Sequence, residues 1–256
     1  AKAPVAPPTH ETDNVLPDSD DDEGILTFGS AHVVHADATG SFPVTAKNGA
    51  SAILITYNKT SNYIAAKPFA SKGEFSQSVI EAVQDVSSHG SPVRVVRSDN
   101  EITPEARRYL QSMNVVVDVQ LVPPHNHRAN EAERKIQDFK AHFIAILAGI
   151  DDTCPLHFWA DFVHQAELTL NMLRPAASGS GSAYKARYGH EHDFNKWPML
   201  QVGISGEIFV PASLRNSTFG QRSEKGWYVG PARVEAYRQY TVRPARGNIR
   251  TTDTAA

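Results

Sequence analysis

Short β-branched and aromatic runs, bounded by Gly, Pro and Asn, fill much of the first half of the chain and give way to stretches of helical periodicity. "AHVVHADATG" (31–40), "SAILITYN" (51–58) and "NYIAAKPF" (62–69) predict three consecutive strands, with Asn48-Gly49 marking a turn before the second. In "KGEFSQSVIEAVQDVSSHG", Phe75, Val79, Ala82, Val83 and Val86 recur at helical spacing, and Gly90 is a stop signal. "SPVRVVRSDN" predicts a fourth strand. Thr103 as cap and Pro104 at the first helical position open a short helix in "TPEARRYLQSMN". "VVVDVQLVPP" predicts a fifth strand, ended by two prolines. A long helix from about Glu131 to Gly149 carries Ala132, Ile136, Phe139, Phe143, Ile146 and Leu147 on one stripe, and another helix spans roughly Leu156–Leu173. Three leading strands followed by alternating α and β predict an α/β fold, a mixed sheet with helices packed on it.

The pattern changes at both ends. Residues 1–24 are rich in Pro and Asp and nearly free of large apolar side chains, which predicts a disordered acidic arm. "SGSGSAYKARYGHEHDF" predicts a connector, placed at 177–201, between a main domain over 25–176 and a small β-rich module over 202–256. That module is read from the short runs "GEIFVP", "GWYVGP", "EAYRQYTVRP" and "GNIRTT". The net charge of −3 argues at first against a nucleic-acid partner. Residues 1–24 hold Lys2 against seven acids, however, a balance of −6, so the remainder carries +3. A mildly basic body is compatible with DNA. The single cysteine, Cys154, excludes a disulfide framework and a Cys-rich zinc module, and points to an intracellular setting. No run of about 18 apolar residues is present, so no transmembrane helix is expected.

Candidate chemistry lies in the acids. Asp37 sits in the first predicted strand with Val33 and His35 on its face, and Asp99 ends the fourth. Ligands of open α/β sheets bind at such strand ends. If the first and fourth strands are neighbours, the two carboxylates converge, and a hard divalent cation such as Mg²⁺ or Mn²⁺ relieves their repulsion. Turn chemistry is the other reading: Asp37 capping Thr39-Gly40, and Asp99 in an Asx-turn. A third acid is available at Glu131 or Glu133, on opposite flanks of the helical stripe. Helical spacing does not choose between them.

"HADATGSFP", "VVRSDNE" and "PPHNHRANEAERKIQDFKAHFIA" resemble, in that order, the integrase core of retroviruses and retrotransposons, the copia type in particular. "EKGWYVGPARVEAYRQYTV" is similar to the small β-region that follows the core in copia-type polyproteins. The resemblance covers about residues 28–250. It implies a ribonuclease H-like mixed five-stranded sheet with flanking helices, plus the small C-terminal β-rich module. It also implies a D,D,E triad, Asp37, Asp99 and Glu133, holding two Mg²⁺ or Mn²⁺ ions. Glu133 is favoured over Glu131 because the 33 residues separating it from Asp99 lie closer to the family's spacing. The implied activity is DNA 3′-end processing and strand transfer into target DNA, by a protein that forms a homo-oligomer and works in the nucleus or a cytoplasmic virus-like particle. A nuclease that only hydrolyses, and an inactive DNA-binding or assembly module, are the alternatives.

Several residues fit that setting. Lys140 and Gln137 share a flank with Glu133 and suit phosphate contact, although a solvated helix lysine fits Lys140 as well. His127, Arg128 and Asn130 suit a loop along the DNA path. His125 and His127 lack a Cys partner for zinc. Arg233, Arg238, Arg243, Arg246 and Arg250 make the C-terminal module locally basic, which suits phosphate contact or simply solubility. The His/His/Cys/Cys zinc module that usually precedes the core in this family does not occur here, so the chain reads as a segment of a longer polyprotein.

Overall fold

Branched side chains pack well on a pleated surface, and the runs enriched in them form the strands. The computed structural model describes residues 33–89, 92–98, 102–112, 118–121, 131–232, 240–245 and 247–253. Asp99, His125, His127, Arg128, Asn130 and the acidic segment 1–24 lie outside the described residues, as do Arg233, Arg238 and Arg246. The elements run β1 (Val33–Ala38), β2 (Ala52–Asn58), β3 (Tyr63–Phe69), α1 (Lys72–Ser88), β4 (Val95–Ser98), α2 (Pro104–Ser112), β5 (Asp118–Leu121), α3 (Glu131–Leu147), α4 (Trp159–Leu173), α5 (Ala183–Tyr188), β6 (Ser205–Phe209), β7 (Ser223–Pro231), β8 (Tyr240–Pro244) and β9 (Arg250–Thr252).

The first five strands form one mixed sheet in the order β3-β2-β1-β4-β5. β1, β2 and β3 pair antiparallel, whereas β4 lies parallel to β1 and β5 parallel to β4. Alternation then divides the side chains between two cores. Val34, Ala36 and Leu54 pack with Phe75, Val79 and Val83 of α1 and with Ala106 and Leu110 of α2. Ile53, Ile55 and Tyr57 pack on the other face with Ile136, Phe139 and Phe143 of α3 and with Phe162, Val163 and Ala166 of α4. Asp37 pairs in register with Ile55, so it belongs to the α3–α4 face.

Helix α4 also closes the outer edge of the sheet. Asn171 accepts from the Ile64 N–H at 2.9 Å and donates to the Ile64 carbonyl at 2.7 Å, as a neighbouring strand would. Glu167 accepts from the Ala66 N–H at 2.9 Å, and Pro68 has no N–H to offer. Exposed strand edges invite pairing with other chains, and this one is capped by side chains.

The four C-terminal strands form an antiparallel sheet, β6-β7-β8-β9. Trp227, Tyr228 and Val229 of β7 join the α3–α4 core, and the Tyr228 hydroxyl donates to Gln165 at 2.9 Å. Where the sequence predicts a plain connector, the chain builds helix α5. Ser182 caps its start by accepting from the Lys185 N–H at 3.0 Å, and Gly189 ends it at φ 78°, a left-handed conformation that glycine adopts without strain. Among the described residues, no helix is long and apolar enough to cross a membrane.

Candidate metal and nucleic-acid site

Strand β1 carries Asp37 to the end of its pairing with β4. Ala36 is in register with Ser98, the last residue of β4. Asp37 and Asp99 are the residues that come next along each chain segment, and Asp99 itself lies outside the described residues. The adjacency of the first and fourth strands, which the convergence of the two acids requires, is therefore present. Asp37 is half-buried, and its Oδ1 accepts from the Ala38 N–H at 2.7 Å. The turn that follows is held by the Thr39 hydroxyl, which accepts from the Ile53 N–H and donates to the Gly40 carbonyl, both at 3.0 Å.

Helix α3 faces the same side of the sheet. Ile136, Phe139 and Phe143 are buried on its inner stripe, while Glu133, Gln137 and Lys140 are exposed along one ridge. That ridge follows from spacings of four and three residues, which return a side chain to nearly the same face. Glu133 belongs to the first turn, where the helix N-terminus favours negative charge. The backbone of Glu131 opens the helix, and its side chain lies outside what the structure describes. Among the described residues, no three His, Cys, Asp or Glu side chains group closely enough to hold a metal ion. Asp99 is outside that set. Asp37 and Glu133 offer carboxylate oxygen only, which suits Mg²⁺ or Mn²⁺ and not a zinc site of the Cys/His kind.

Four other acids are committed elsewhere. A cleft of about 730 Å³ at the β3 edge is lined by Glu81, Asp85, Asp161 and Glu167. Glu81 pairs with Lys67, Asp85 with Arg187, Asp161 with Arg243, and Glu167 accepts from the Tyr63 hydroxyl at 2.7 Å. Burial raises the Glu167 carboxyl above its usual range against the hydrogen bonds that lower it. Two of the C-terminal arginines, buried Arg243 and half-buried Arg250, are ion-paired within the chain. Arg243 meets Asp161 through two nitrogens, and Arg250 pairs with Glu224 at 2.8 Å while donating to the Phe209 carbonyl at 3.0 Å. That pairing competes with the phosphate contact read for these two from the sequence. Burial pushes the Cys154 thiol up to about 11, which leaves it protonated and a poor metal ligand at neutral pH.

The sequence reading missed a polar knot beside α3. Arg174, just past the end of α4, donates to Asp138 of α3 at 2.9 Å and to the Asn62 side chain at 2.8 Å. Asn62, in the β2–β3 turn, is the one described non-glycine residue with positive φ, 59°. No local pattern marks these residues, because the three are brought together only by the packing of the turn, α3 and α4.

No family model matches the sequence, and no curated protein matches it. Solved structures give distant likenesses. A chain of the simian T-cell lymphotropic virus intasome aligns at 13% identity over 86% of this chain and 75% of its own, with a TM-score of 0.49. The catalytic core domain of BIV integrase aligns at 17% identity over 62% of this chain and 95% of its own, with a TM-score of 0.44. The HTLV-2 integrase catalytic core domain in complex with magnesium aligns at 13% identity over 62% of this chain and 97% of its own, with a TM-score of 0.46.

Proposed function

We propose that this chain contains a copia-type retrotransposon integrase core that trims DNA 3′ ends and joins them to target DNA. The observation that carries the reading is the parallel β1–β4 pairing, which ends at Ala36 and Ser98, one residue before Asp37 and Asp99. Three motifs in family order, and a helix α3 with Glu133 in its first turn on the Asp37 side of the sheet, support it. The mixed sheet, with β1, β2 and β3 antiparallel and β4 and β5 parallel to β1, supports the ribonuclease H-like reading.

Asp37, Asp99 and Glu133 would hold two Mg²⁺ or Mn²⁺ ions through carboxylate oxygens. Such a pair, when bound, lowers the pKa of the attacking hydroxyl and stabilises the leaving oxygen. The chain's own contribution is placement. Gln137 and Lys140 extend the Glu133 ridge and suit contact with the DNA backbone, and His127, Arg128 and Asn130 precede the same helix. The working form is a homo-oligomer on element ends and target DNA, in the nucleus or a virus-like particle.

The test is 3′-end trimming and strand transfer with Mn²⁺, comparing the natural sequence with Asp37→Asn, Glu133→Gln and Glu131→Gln. Both reactions are expected for the natural sequence and Glu131→Gln, and neither for the other two variants. Trimming without transfer would make the protein a hydrolytic nuclease. DNA binding with neither reaction would make it an assembly module, and loss confined to Glu131→Gln would move the third ligand by two residues.

A further inference from the structure

We propose that Arg174 is a positioning residue for the carboxylate site, locking the N-terminal half of α3, and with it Glu133, against the β1–β2 ladder. The inference rests on the integrase reading for what α3 presents, and on side-chain geometry for how it is held.

The inner stripe of α3 is apolar, and apolar contact is non-directional: it keeps the helix on the sheet without fixing its roll or axial register. Toward the C-terminal half of α3, His142 bonds Thr169 of α4 at 2.9 Å; in the N-terminal half, directional bonds come from Arg174. Its guanidinium donates to the Asp138 carboxylate at 2.9 Å, to Asn62 Oδ1 at 2.8 Å and to the Asn62 carbonyl at 3.3 Å. One planar fork thus joins α3, the β2–β3 turn and the end of α4, a geometry that arginine offers and lysine cannot reproduce. The side chain is only 13% exposed, so these charge-assisted bonds are shielded from bulk water.

Asn62 is itself held from two other sides. Its amide donates to the Pro175 carbonyl at 2.8 Å, and its Oδ1 accepts from the Tyr57 hydroxyl at 3.2 Å. Asparagine tolerates the left-handed backbone at this position better than most residues. Tyr57 carries the connection into the sheet, since it pairs in register with His35, two residues before Asp37. Lys135 closes the circuit, with its ammonium 4.8 Å from the Tyr57 ring centre and 3.9 Å from Asp138. Glu133 is two residues from Lys135 on the same helix, so the roll of the helix sets where its carboxylate lies relative to β1. Groups that orient metal ligands characteristically change metal affinity or activity by about 10–100-fold when removed.

The experiment compares the full chain with Arg174→Gln and Arg174→Lys by three readouts: hydrogen exchange of residues 131–138, calorimetric Mn²⁺ binding, and the Mn²⁺ needed for half-maximal strand transfer. Arg174→Gln is expected to speed exchange in 131–138 while leaving β2 protected, and to weaken Mn²⁺ binding and raise the Mn²⁺ requirement by about 10–100-fold. Arg174→Lys is expected to fall between, because it keeps the charge toward Asp138 without spanning Asn62. Unchanged Mn²⁺ binding with a loosened α3, or faster exchange spread evenly through β2 and α4, would overturn the proposal and leave Arg174 a stabilising residue only. An inactive natural sequence would count against the integrase reading alone, since exchange and Mn²⁺ binding would still decide the role of Arg174.

Discussion

Asn171→Ala removes the side chain that completes the outer edge of the main sheet. Asn171 is fully buried, and its amide makes both bonds that an adjacent strand would make to Ile64. A third bond, from Nδ2 to the Glu167 carbonyl at 2.8 Å, keeps the amide oriented along α4. Truncation strands the N–H and C=O of Ile64, a fully buried residue, at about 1–3 kcal/mol for each unsatisfied group, so a loss of about 2–6 kcal/mol is expected. A water admitted to the space left by the amide would bring the value toward the lower end. Asn171→Asp should cost more near neutral pH. The new carboxylate still accepts from the Ile64 N–H, but its other oxygen meets the carbonyls of Ile64 and Glu167, to which it can donate only when protonated. Its pKa is therefore raised in the folded state, and the deficit should shrink as pH falls below the folded value. Urea unfolding with linear extrapolation measures both variants. A loss under about 1 kcal/mol for Asn171→Ala, below what two orphaned backbone groups cost, would refute the account of this edge.

Two further outcomes follow from side chains that join separate elements. Arg243→Ala leaves Asp161 buried without its bidentate partner, and breaking a buried pair costs about 3–5 kcal/mol, so the melting temperature should drop with β8 losing protection first in hydrogen exchange. A drop no larger than that of an exposed arginine such as Arg222→Ala would contradict the docking role. His142 lies between α3 and α4, where burial lowers its pKa and Nε2 meets the Thr169 hydroxyl at 2.9 Å. Thr169 also lies 2.9 Å from the Gln165 carbonyl, to which its hydroxyl donates, so the imidazole is the donor to Thr169. The neutral form is the stable one, so its contribution is complete above the ordinary histidine value of about 6.5 and is lost as pH falls through the lower folded value. His142→Gln should flatten that part of the stability–pH curve, and an unchanged slope would contradict the assignment.

How much of this was legible in the sequence depends on the range of each interaction. The alternation in "VVHADA" and "AILITYN" is local, and it already assigns Asp37 to the face opposite Val34 and Ala36. The inner stripe of α3 is local too: Ile136, Phe139 and Phe143 are buried as their spacing predicts. Helix α5 was missed because Gly and Ser dominate its approach, although Ser182 and Gly189 carried a usable capping signal. The contacts that tie the fold together are long-range. Asn171 to Ile64, Arg174 to Asn62 and Arg243 to Asp161 join residues far apart in sequence, and no periodicity marks either member of those pairs. The same limit governed the arginines of the C-terminal strands. Composition marks them as basic, and only packing shows that Arg243 and Arg250 are paired with Asp161 and Glu224. The candidate site was legible as residue types in order, while the β1–β4 adjacency that makes them meaningful is a tertiary fact.

We propose above that Asp37, Asp99 and Glu133 form one metal-holding set. Anomalous diffraction from crystals soaked in Mn²⁺ tests it most directly. Two Mn²⁺ peaks are expected about 3.5–4 Å apart, the spacing of two-metal phosphoryl-transfer sites, with carboxylate oxygens of all three residues in contact. Peaks absent from within about 2.5 Å of Asp37, the outer range for oxygen ligands, or ligated by Glu131 in place of Glu133, would contradict it.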